Sequence, residues 1–348
     1  MREGFFALVA TLGALGTTEA NACTRVLWND NSQAVLVSRS MDWYPTTSNP
    51  RLVASPRGIT RKGNSVGANV ISMDNPASWR TKYGSVVVTA LDSGTSDGMN
   101  EKGLAAHVLW LNASDYGPRD PAKPGVNVGL WAQYMLDNAA TVTEVIALAS
   151  IIQATPITVG SMIVPLSLAV EDPSGDSAIL QYIGGRLIIH HGSQYRVLAN
   201  DPEYDEALKL LDPNGYTGYT RNNPLPGNGN SEARFVRANF YLDFLRLTKP
   251  LSLAEAKASL MSVARNVSVP AGSPIEEPGT VETDYRVLSD LSHRTYSFET
   301  TKRLALLVTD LSKMNFSVGQ PVRTLNPQNT RINGEITHRY VVSGTVRQ

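Results

Sequence analysis

The amino-acid sequence predicts a layered α+β fold in which helices cover antiparallel sheets. Strand-like runs occupy the first third of the chain, return between 163 and 199, and close it after residue 294. Two pairs of helical segments, at 126–153 and 232–266, separate these groups of strands. Strands in runs and helices in pairs favour sheets packed in layers. No repeat, low-complexity tract or linker divides residues 23–348, so we interpret them as one domain.

The first two strands form a predicted hairpin. Thr24–Asn29 and Ala34–Arg39 are β-branched or apolar runs on either side of the polar turn Asp30–Gln33. A loop rich in Asp, Pro and Gly is predicted at Asn112–Gly125. The other strands are predicted at Val66–Ser72, Ser85–Leu91, Gly103–Leu111, Ile163–Glu171, Ala178–Ile183, Arg186–His191, Tyr195–Ala199, Arg294–Thr300, Leu304–Leu311 and Arg339–Val346.

The helices are marked by capping sequences. They are predicted at Val126–Asn138, Val142–Gln153, Glu232–Leu247 and Leu253–Asn266. A capping box, in which Ser or Thr is followed three residues later by Glu, begins the second helix of each pair at Thr141 and Ser252. Gly184–Gly185 is a two-residue hairpin signal, and Gly215–Gly229 is predicted as a loop.

The balance of basic and acidic residues argues against two classes of function. The 348 residues contain 31 basic and 31 acidic side chains, and neither sign accumulates in a block. Nucleic-acid binding and stable membrane contact are therefore not expected. Cys23 is the single cysteine, so an exported form of this chain has no internal disulfide and keeps a free thiol.

Residues 1–22 have the features of a secretory signal peptide. Phe5–Gly16 is a mostly apolar run too short to span a bilayer as a helix, and Ala20 and Ala22 fit the small-residue cleavage pattern. Cleavage there would make Cys23 the first residue. The signal features therefore predict a periplasmic or secreted protein. Two alternatives stay open for this cysteine. One is lipidation, although lipoprotein signals normally carry a large aliphatic residue in place of Ala20, and the other is an inert buried thiol.

An N-terminal cysteine joins a nucleophile to a base. An α-amine with a pKa of about 7.7 to 8.0 is able to accept the proton of a thiol whose pKa is about 8.5, so one residue supplies both functions. This pairing favours acyl transfer. A conventional Cys-His pair is the alternative, but we interpret the five histidines as ordinary surface or strand residues: His107, His190, His191, His293 and His338.

Arg39 and Asp42 are the first candidates to support this nucleophile. They follow Cys23 on or just beyond the second strand of the hairpin, which folds back beside the N-terminus. Asp42 is placed to accept hydrogen bonds from the α-amine, and Arg39 to favour the thiolate. A routine surface ion pair explains the same spacing equally well.

Several motifs then occur in a family-specific order. Cys23-Thr24 is followed by Ser38-Arg39-Ser40-Met41-Asp42-Trp43, and later by Asp97-Gly98-Met99-Asn100-Glu101-Lys102-Gly103-Leu104. Val197–Pro202 and Ala233–Phe235 come next. In this combination the chain resembles the choloylglycine hydrolase family of N-terminal nucleophile hydrolases, which contains bile salt hydrolases and penicillin V acylases. The resemblance covers nearly all of the chain after residue 22.

The resemblance implies a set of catalytic roles. Cys23 would be the nucleophile and, through its amine, the base, while Arg39 and Asp42 would orient and tune it. Asn200 would donate its side-chain amide to the oxyanion, and Arg234 would contribute positive charge at the cleft. The family fold is a four-layer αββα sandwich, and no metal or cofactor is implied.

Departures from the family pattern bear on substrate and assembly. Trp110 stands where bile salt hydrolases place a second oxyanion asparagine, and Asn112 lies two residues later. Trp43 and Trp110 are therefore candidate substrate-binding residues, although a tryptophan that ends a strand is as often core. The segment between Asn200 and Arg234 is shorter than in the bile salt hydrolases, where it contributes to tetramer contacts. A homo-oligomer, by family resemblance a tetramer, is still expected.

In its predicted export and its shortened segment between Asn200 and Arg234, the chain resembles the Gram-negative branch of the family. That branch is associated with penicillin V and long-chain N-acyl homoserine lactones, which are amides between a hydrophobic acyl group and a small polar ring. The sequence therefore predicts an exported amide hydrolase acting on one or both of these small molecules. The alternatives are conjugated bile salt hydrolysis and, from another class, a lipid-anchored binding protein.

Overall fold

Helices and strands in this protein are stacked in layers. The computed structural model describes residues 23–43, 48–67, 69–90, 94–159, 162–211, 219, 222–274 and 280–343. The predicted signal peptide at 1–22 lies outside these residues. So do parts of the predicted loop 215–229 and of the last predicted strand, at 344–346.

The strands, numbered in chain order, have the following bounds. They are β1 Thr24–Trp28, β2 Leu36–Trp43, β3 Arg51–Ser55, β4 Thr60–Lys62, β5 Ser65–Val66, β6 Asn69–Val70, β7 Ser78–Arg80, β8 Ser85–Ala90, β9 Gly94–Asn100, β10 Ala105–Trp110, β11 Gly125–Asn127, β12 Gln153–Thr155, β13 Thr158–Val159, β14 Met162–Ile163, β15 Leu166–Glu171, β16 Ser177–Ile183, β17 Arg186–His191, β18 Val197–Ala199, β19 Ser273–Pro274, β20 Thr280–Asp290, β21 Thr295–Thr300, β22 Ala305–Asp310, β23 Arg323–Leu325, β24 Gly334–Glu335 and β25 Val341–Val342.

Among the described residues, helices are fewer than strands. The α-helices are α1 Trp131–Asn138, α2 Val142–Ile151, α3 Tyr204–Leu208, α4 Ser231–Leu245 and α5 Leu253–Asn266, and single 3₁₀ turns lie at Val128–Leu130, Leu311–Lys313 and Thr337–Arg339. Each helix in the described part of the chain is too short or too polar to cross a bilayer.

Two large sheets form the centre of the molecule. Sheet A has the strand order β18-β1-β2-β20-β21-β22-β24, with β19 paired to β20. Sheet B has the order β17-β16-β15-β10-β9-β8-β3-β23-β25. Helices α4 and α5 pack on sheet A, and α1 and α2 pack on sheet B. The result is the four-layer αββα sandwich that the family resemblance implied.

Apolar side chains fill the spaces between these layers. One buried cluster extends from α4 and α5 through sheet A to sheet B, and includes Trp28, Phe235 and Phe298. A second cluster joins sheet B to α1 and α2 through Trp131 and Met135. Burial of such large apolar surfaces is the main favourable contribution to folding.

Several local predictions are confirmed. Strands β1 and β2 form the N-terminal antiparallel hairpin, with Thr24 opposite Ser40. The backbone N–H of Glu144 donates to the Thr141 hydroxyl at 3.2 Å, so this cap begins α2 as expected. Ser252 caps α5 in the same way, with a distance of 3.1 Å to the N–H of Glu255.

Other predictions are wrong at particular elements. The strand predicted at 66–72 is two short strands, β5 and β6, which pair with each other. The helix predicted from Val126 begins only at Trp131, because residues 125–127 form β11 against β12 and Asn127 caps the 3₁₀ turn that follows. At the end of the chain, a 3₁₀ turn and the short strand β25 replace the first part of the strand predicted at 339–346.

Three long strands of the two sheets are absent from the prediction. They are β3, β9 and β20. Polar residues interrupt the apolar pattern of β20, yet Thr283, Asp284 and Asp290 are fully buried and bond within the core. Strand β9 contains Gly98, where a Cβ atom would lie 2.6 Å from a methyl carbon of Val87, so only glycine fits there.

Candidate active site

The sheet register brings Asn200 beside Cys23. Thr24 pairs with Ser40 on β2 and with Ala199 on β18, so the residue before Thr24 faces the residue after Ala199. Accordingly, the backbone nitrogen of Cys23 donates a hydrogen bond of 2.7 Å to Oδ1 of Asn200. Both residues are buried, although 177 positions separate them.

The sulfur of Cys23 lies against a buried cation. Nη2 of Arg39 is 3.3 Å from the sulfur, and the same nitrogen donates to the carbonyl oxygen of Val108 at 3.0 Å. Nη1 of Arg39 donates to the hydroxyl of Tyr285 at 3.0 Å. Since Val108 belongs to sheet B and Tyr285 to sheet A, the guanidinium is held between the two sheets. A surface ion pair, the alternative interpretation of Arg39, is therefore wrong for this residue, which is 1% exposed.

Opposing effects set the acidity of this thiol. Burial raises the pKa of Cys23, and the nearby charge of Arg39 and a hydrogen bond from the Asp42 backbone lower it. The net result is a pKa above the ordinary thiol value, because removal from water disfavours the thiolate. Formation of a thiolate at Cys23 near neutral pH therefore requires a neighbouring base.

Asp42 is a buried carboxylate at a bulge. The pairing of β2 with β20 shifts by one residue between Met41 and Asp42. The Thr283 hydroxyl donates to Oδ1 of Asp42, and Nη1 of Arg234 lies 3.7 Å from Oδ2. Burial raises the pKa of Asp42 to about 6, against the opposing effects of Arg234 and Thr283. Within the described residues, Oδ2 is a buried atom that accepts no hydrogen bond.

Arg234 reaches Cys23 from the first turn of α4. The cap residue Asn230 accepts the N–H of Ala233 at 2.9 Å and so starts the helix. Nη1 of Arg234 donates to the carbonyl oxygen of Cys23 at 2.8 Å and also contacts the Thr24 hydroxyl. The five residues predicted from the sequence therefore converge: Cys23, Arg39, Asp42, Asn200 and Arg234.

Trp110 is the last residue of β10. Its indole Nε1 donates to Oδ1 of Asn112 at 2.8 Å. Asn112 in turn donates to both carboxylate oxygens of Asp201, from its backbone at 2.9 Å and its side chain at 3.0 Å. Asp201 directly follows Asn200, so this chain of bonds links Trp110 to the Asn200 segment. The side chain of Trp43 lies outside the described part of the structure.

A cavity of about 390 Å³ borders this link. Its walls include Asn112, Asp201, Glu203, Ser231 and Glu232. These residues come from the end of sheet B, the segment after Asn200 and the first turn of α4. The cavity therefore lies at the same end of the sheets as Cys23.

The backbone N–H of Trp110 points to the edge of β10 that contacts Arg39. The N–H of Leu111 donates to the carbonyl of Pro165 at 3.0 Å, which directs it toward β15. Peptide groups alternate in direction along an antiparallel strand. The N–H of Trp110 therefore points to the opposite edge, where the Val108 carbonyl accepts from Arg39.

The histidines do not form a Cys-His pair with the sulfur. In the described part of the chain, its side-chain contacts are Arg39 and Met41. Four histidines are at least partly exposed beside carboxylates, as expected for surface or strand residues: His190, His191, His293 and His338. The fifth, His107, is fully buried between Asp97 and Glu171, which the sequence analysis did not foresee.

Sequence reasoning also missed Tyr285 and Thr283, because it did not recognise β20. Both are buried and bond to the candidate catalytic residues Arg39 and Asp42. Among the described residues, no group of three or more His, Cys, Asp or Glu side chains is arranged to hold a metal ion.

This chain is similar to known proteins over most of its length. Residues 23–324 match the family described as linear amide C-N hydrolases, choloylglycine hydrolase family. The chain is 38% identical over 330 residues to a penicillin V acylase of Pectobacterium atrosepticum, covering 87% of this chain and 84% of that enzyme. Its fold matches the structure of penicillin V acylase from Agrobacterium tumefaciens with a TM-score of 0.81 and 36% identity, covering 93% and 98% of the two chains.

A more distant structure shares the same fold. A mutant conjugated bile acid hydrolase from Clostridium perfringens matches with a TM-score of 0.71 and 22% identity, covering 87% of this chain and 96% of the other. The match to the family extends over most of the sequence and includes the strands and helices that carry the converging residues. This chain therefore belongs to the choloylglycine hydrolase family and is a linear amide C–N hydrolase.

Proposed function

We propose that this protein is an exported amide hydrolase that uses Cys23 as an N-terminal nucleophile to cleave penicillin V, N-acyl homoserine lactones, or both. One observation carries the proposal. Arg39 contacts the sulfur of Cys23 at 3.3 Å, and Asn200 contacts its nitrogen at 2.7 Å. Two side chains from distant parts of the sequence therefore contact the sulfur and the nitrogen of Cys23, the two atoms that react in this proposal.

Maturation removes residues 1–22 and frees the α-amine of Cys23. The neutral amine has two N–H groups and one lone pair. Oδ1 of Asn200 accepts one N–H, as it does in the structure, and Oδ2 of Asp42 is the buried acceptor for the second. The lone pair is then available for the thiol proton. Asp42 in this scheme orients the amine, and Arg39 stabilises the thiolate that forms.

Acylation begins when the amine takes the thiol proton, directly or through one water. The thiolate attacks the carbonyl carbon of the substrate, and the carbonyl π electrons move to its oxygen. When the tetrahedral intermediate collapses, the C–N bond breaks and the leaving nitrogen takes the proton from the ammonium of Cys23. The products of this half-reaction are a thioester on Cys23 and the free amine.

Deacylation repeats the sequence with water. The neutral amine of Cys23 accepts a proton as water attacks the thioester carbonyl, and collapse of the second intermediate expels the thiolate. The thiolate recovers the proton from the ammonium, and the carboxylic acid leaves. Each proton taken by the amine is returned, so the residue is regenerated.

Both tetrahedral intermediates carry an oxyanion, and two donors are placed near it. Nδ2 of Asn200 is on the amide group whose oxygen holds the Cys23 nitrogen. The backbone N–H of Trp110 is directed to the edge of β10 that carries Arg39. A preorganised donor of this kind is worth roughly 10²- to 10³-fold in rate. Arg234 adds positive charge and holds the Cys23 carbonyl.

The proposed substrates follow from the relatives and from the two tryptophans. The relatives named penicillin V acylase share 36% and 38% identity with this chain, whereas the bile acid hydrolase shares 22%. Trp43 and Trp110 are the proposed aromatic contacts of the acyl group, which is hydrophobic in both substrates. The cavity beside Asn112 supplies polar groups for the leaving amine.

One panel of rates tests the substrate class. The purified enzyme and Cys23→Ala are each assayed on penicillin V, a long-chain acyl homoserine lactone and glycocholate. We expect hydrolysis of one or both of the first two substrates, and none by the variant. Glycocholate as the preferred substrate would contradict the substrate assignment, and an active Cys23→Ala enzyme would contradict the nucleophile.

Intact mass and cell fractionation test the maturation. A mass equal to residues 23–348 with an unmodified cysteine, found in the periplasm or medium, is the expected result. A mass that still includes residues 1–22 would contradict N-terminal catalysis. A mass increased by acyl chains, with the protein in the membrane fraction, would instead identify the lipid-anchored binding protein.

We also propose a homo-oligomer, with a tetramer expected. Large apolar side chains remain exposed after the middle of α4: Phe244 at 48%, Leu247 at 65% and Leu251 at 91%. Exposed apolar groups in sequence like these are typical of contact surfaces. Mass photometry at nanomolar and micromolar concentration measures the assembly, and a monomer at both would contradict it.

A further inference from the structure

A chain of buried charges crosses the space between the two sheets. Arg25 on β1 contacts Glu171 on β15 through two guanidinium nitrogens, one of them at 3.1 Å. The second carboxylate oxygen of Glu171 contacts Nε2 of His107, and Nδ1 of His107 contacts Asp97. The Tyr296 hydroxyl donates to the other oxygen of Asp97 at 2.6 Å. All five side chains are buried.

This geometry defines the protonation state of His107. An ionised carboxylate only accepts hydrogen bonds, and here one faces each ring nitrogen. Both nitrogens must therefore donate, which requires the imidazolium. Burial lowers the pKa of His107, but Asp97 and Glu171 together raise it to about 9. Burial likewise raises the pKa of Glu171, and Arg25 and His107 bring it below its usual value.

The charge chain starts directly opposite the arginine of the active site. Arg25 and Arg39 are partners across the β1–β2 pair, and both are buried. Like charges in this position destabilise a sheet unless each has a separate partner. Arg25 turns to Glu171, to the Ser177 hydroxyl at 2.7 Å and to the Tyr195 carbonyl at 2.8 Å. Arg39 turns instead to Cys23.

Asp97 connects the charge chain of Arg25 and His107 to the Arg39–Cys23 contact. The pairing of β8 with β9 shifts at Ser96, and such a bulge re-aims neighbouring side chains. The Ser96 hydroxyl bonds to Tyr285 at 2.8 Å, and Tyr285 accepts from Arg39. The negative charge of Asp97 is near enough to raise the pKa of Arg39. Asp97 is thus the buried anion able to compete with the Cys23 sulfur for Arg39.

His107 is surrounded by groups that balance one another's charges. Asp97 and Glu171 contact its ring, Arg25 contacts Glu171, and Tyr296 contacts Asp97. The charge of Asp97 also raises the pKa of Arg39. Among the three cations of this group, Arg25 and His107 balance the two carboxylates. The third, Arg39, is left for the sulfur.

We propose that His107 is a positioning residue for the nucleophile: as an imidazolium it engages both Asp97 and Glu171, so that the Arg39 guanidinium stays directed at the Cys23 sulfur. The inference rests on the proposed function, in which that sulfur attacks the substrate. It assigns a role to a buried histidine that makes no contact with the reacting atoms.

Alkylation of Cys23 by iodoacetamide, followed by intact mass, tests this role. Because Cys23 is the single cysteine, each added label reports on this thiol. In His107→Gln, Asp97 loses its cation and turns to Arg39, so we expect alkylation at pH 7 to slow about tenfold, the change given by a thiol pKa about one unit higher. The kcat should fall with little change in KM.

The double variant Asp97→Asn/His107→Gln separates positioning from packing. A neutral side chain at position 97 no longer competes with the Cys23 sulfur for Arg39. Because the alkylation rate follows the fraction of thiolate, alkylation should return to within about threefold of the wild-type rate. If His107 only fills space, the double variant will be at least as slow as the single one. That result, or an unchanged rate in His107→Gln, would overturn the proposal.

NMR tests the charge state in the wild-type protein, without relying on a variant that folds. Spectra of protein labelled with ¹⁵N-histidine should show one ring with both nitrogens protonated at pH 8. Absence of such a ring would overturn the proposal. If Cys23→Ala hydrolyses substrate, the proposed function fails, but the alkylation and NMR results still decide whether His107 positions Arg39.

Discussion

The backbone nitrogen of Cys23 donates to the side-chain oxygen of Asn200 across a gap of 177 positions in the sequence. This bond lies at the end of the β1–β18 pair, one residue beyond the Thr24–Ala199 partners. In the proposed reaction it also orients the base. Asn200 should then act twice, because its amide oxygen holds the amine and its amide nitrogen faces the oxyanion.

Asn200→Asp tests the two functions of that amide. The variant keeps an oxygen for the Cys23 nitrogen but loses the Nδ2 donor. We expect kcat on the preferred substrate to fall roughly 10²- to 10³-fold with a small change in KM, because the lost bond forms mainly in the transition state. Circular dichroism must show an unchanged fold. A kcat within about threefold of wild type would contradict the oxyanion role.

Asp42→Asn should lose activity and gain stability. The folded protein raises the pKa of Asp42 from an unfolded value of 3.8 to about 6, so ionising this carboxyl costs more in the folded state. The folded state then binds more protons than the unfolded state between those pH values, and stability falls as pH rises through them. Asparagine resembles the protonated form and avoids this cost.

Thermal unfolding as a function of pH measures this effect. We expect the Tm of Asp42→Asn to exceed that of wild type by several degrees at pH 7, from roughly 3 kcal/mol for about two pKa units. The difference should shrink toward pH 4. The exposed Asp74→Asn is the matched control and should show no change. A less stable Asp42→Asn protein at pH 7 would contradict the assigned pKa.

Asn112→Asp tests the link between Trp110 and the Asn200 segment. The new carboxylate would face Asp201 in place of the amide that now donates to it at 3.0 Å. We expect the repulsion to separate the two segments and to lower kcat/KM about tenfold or more, because small misplacements at a reacting centre are costly. Asn112→Ala, which only removes the bonds, should be affected less. Equal kinetics for the two variants would contradict this explanation.

Gly98→Ala tests the close approach of β8 and β9. The new methyl group would lie 2.6 Å from a Val87 carbon and 2.8 Å from the Val86 carbonyl oxygen. Such overpacking typically costs 1–3 kcal/mol, roughly a fall of several degrees in Tm. Gly227→Ala is the matched control, because its Cβ would meet no atom within 4 Å. An unchanged Tm for Gly98→Ala would show that the strands separate easily.

Much of the fold followed from local patterns. The β1–β2 hairpin and the caps of α2 and α5 are short-range features, whose causes lie within a few residues of one another. The strands β9 and β20 could not be found in this way. Their glycine and buried polar residues are stable in a sheet only because neighbouring strands and side chains satisfy them.

Some residues of the candidate site were likewise predicted from the sequence, and others were found only in the structure. Motif order in the sequence predicted Cys23, Arg39, Asp42, Asn200 and Arg234 as candidates, because these side chains could carry the chemistry that an amide hydrolase needs. Only the tertiary structure decided that Tyr285 and Thr283 support them, and that His107 is a buried cation and not an ordinary strand histidine. The physical reason is that burial and charge partners set the state of an ionisable group. Those partners come from strands far apart in the chain and meet only across the two sheets.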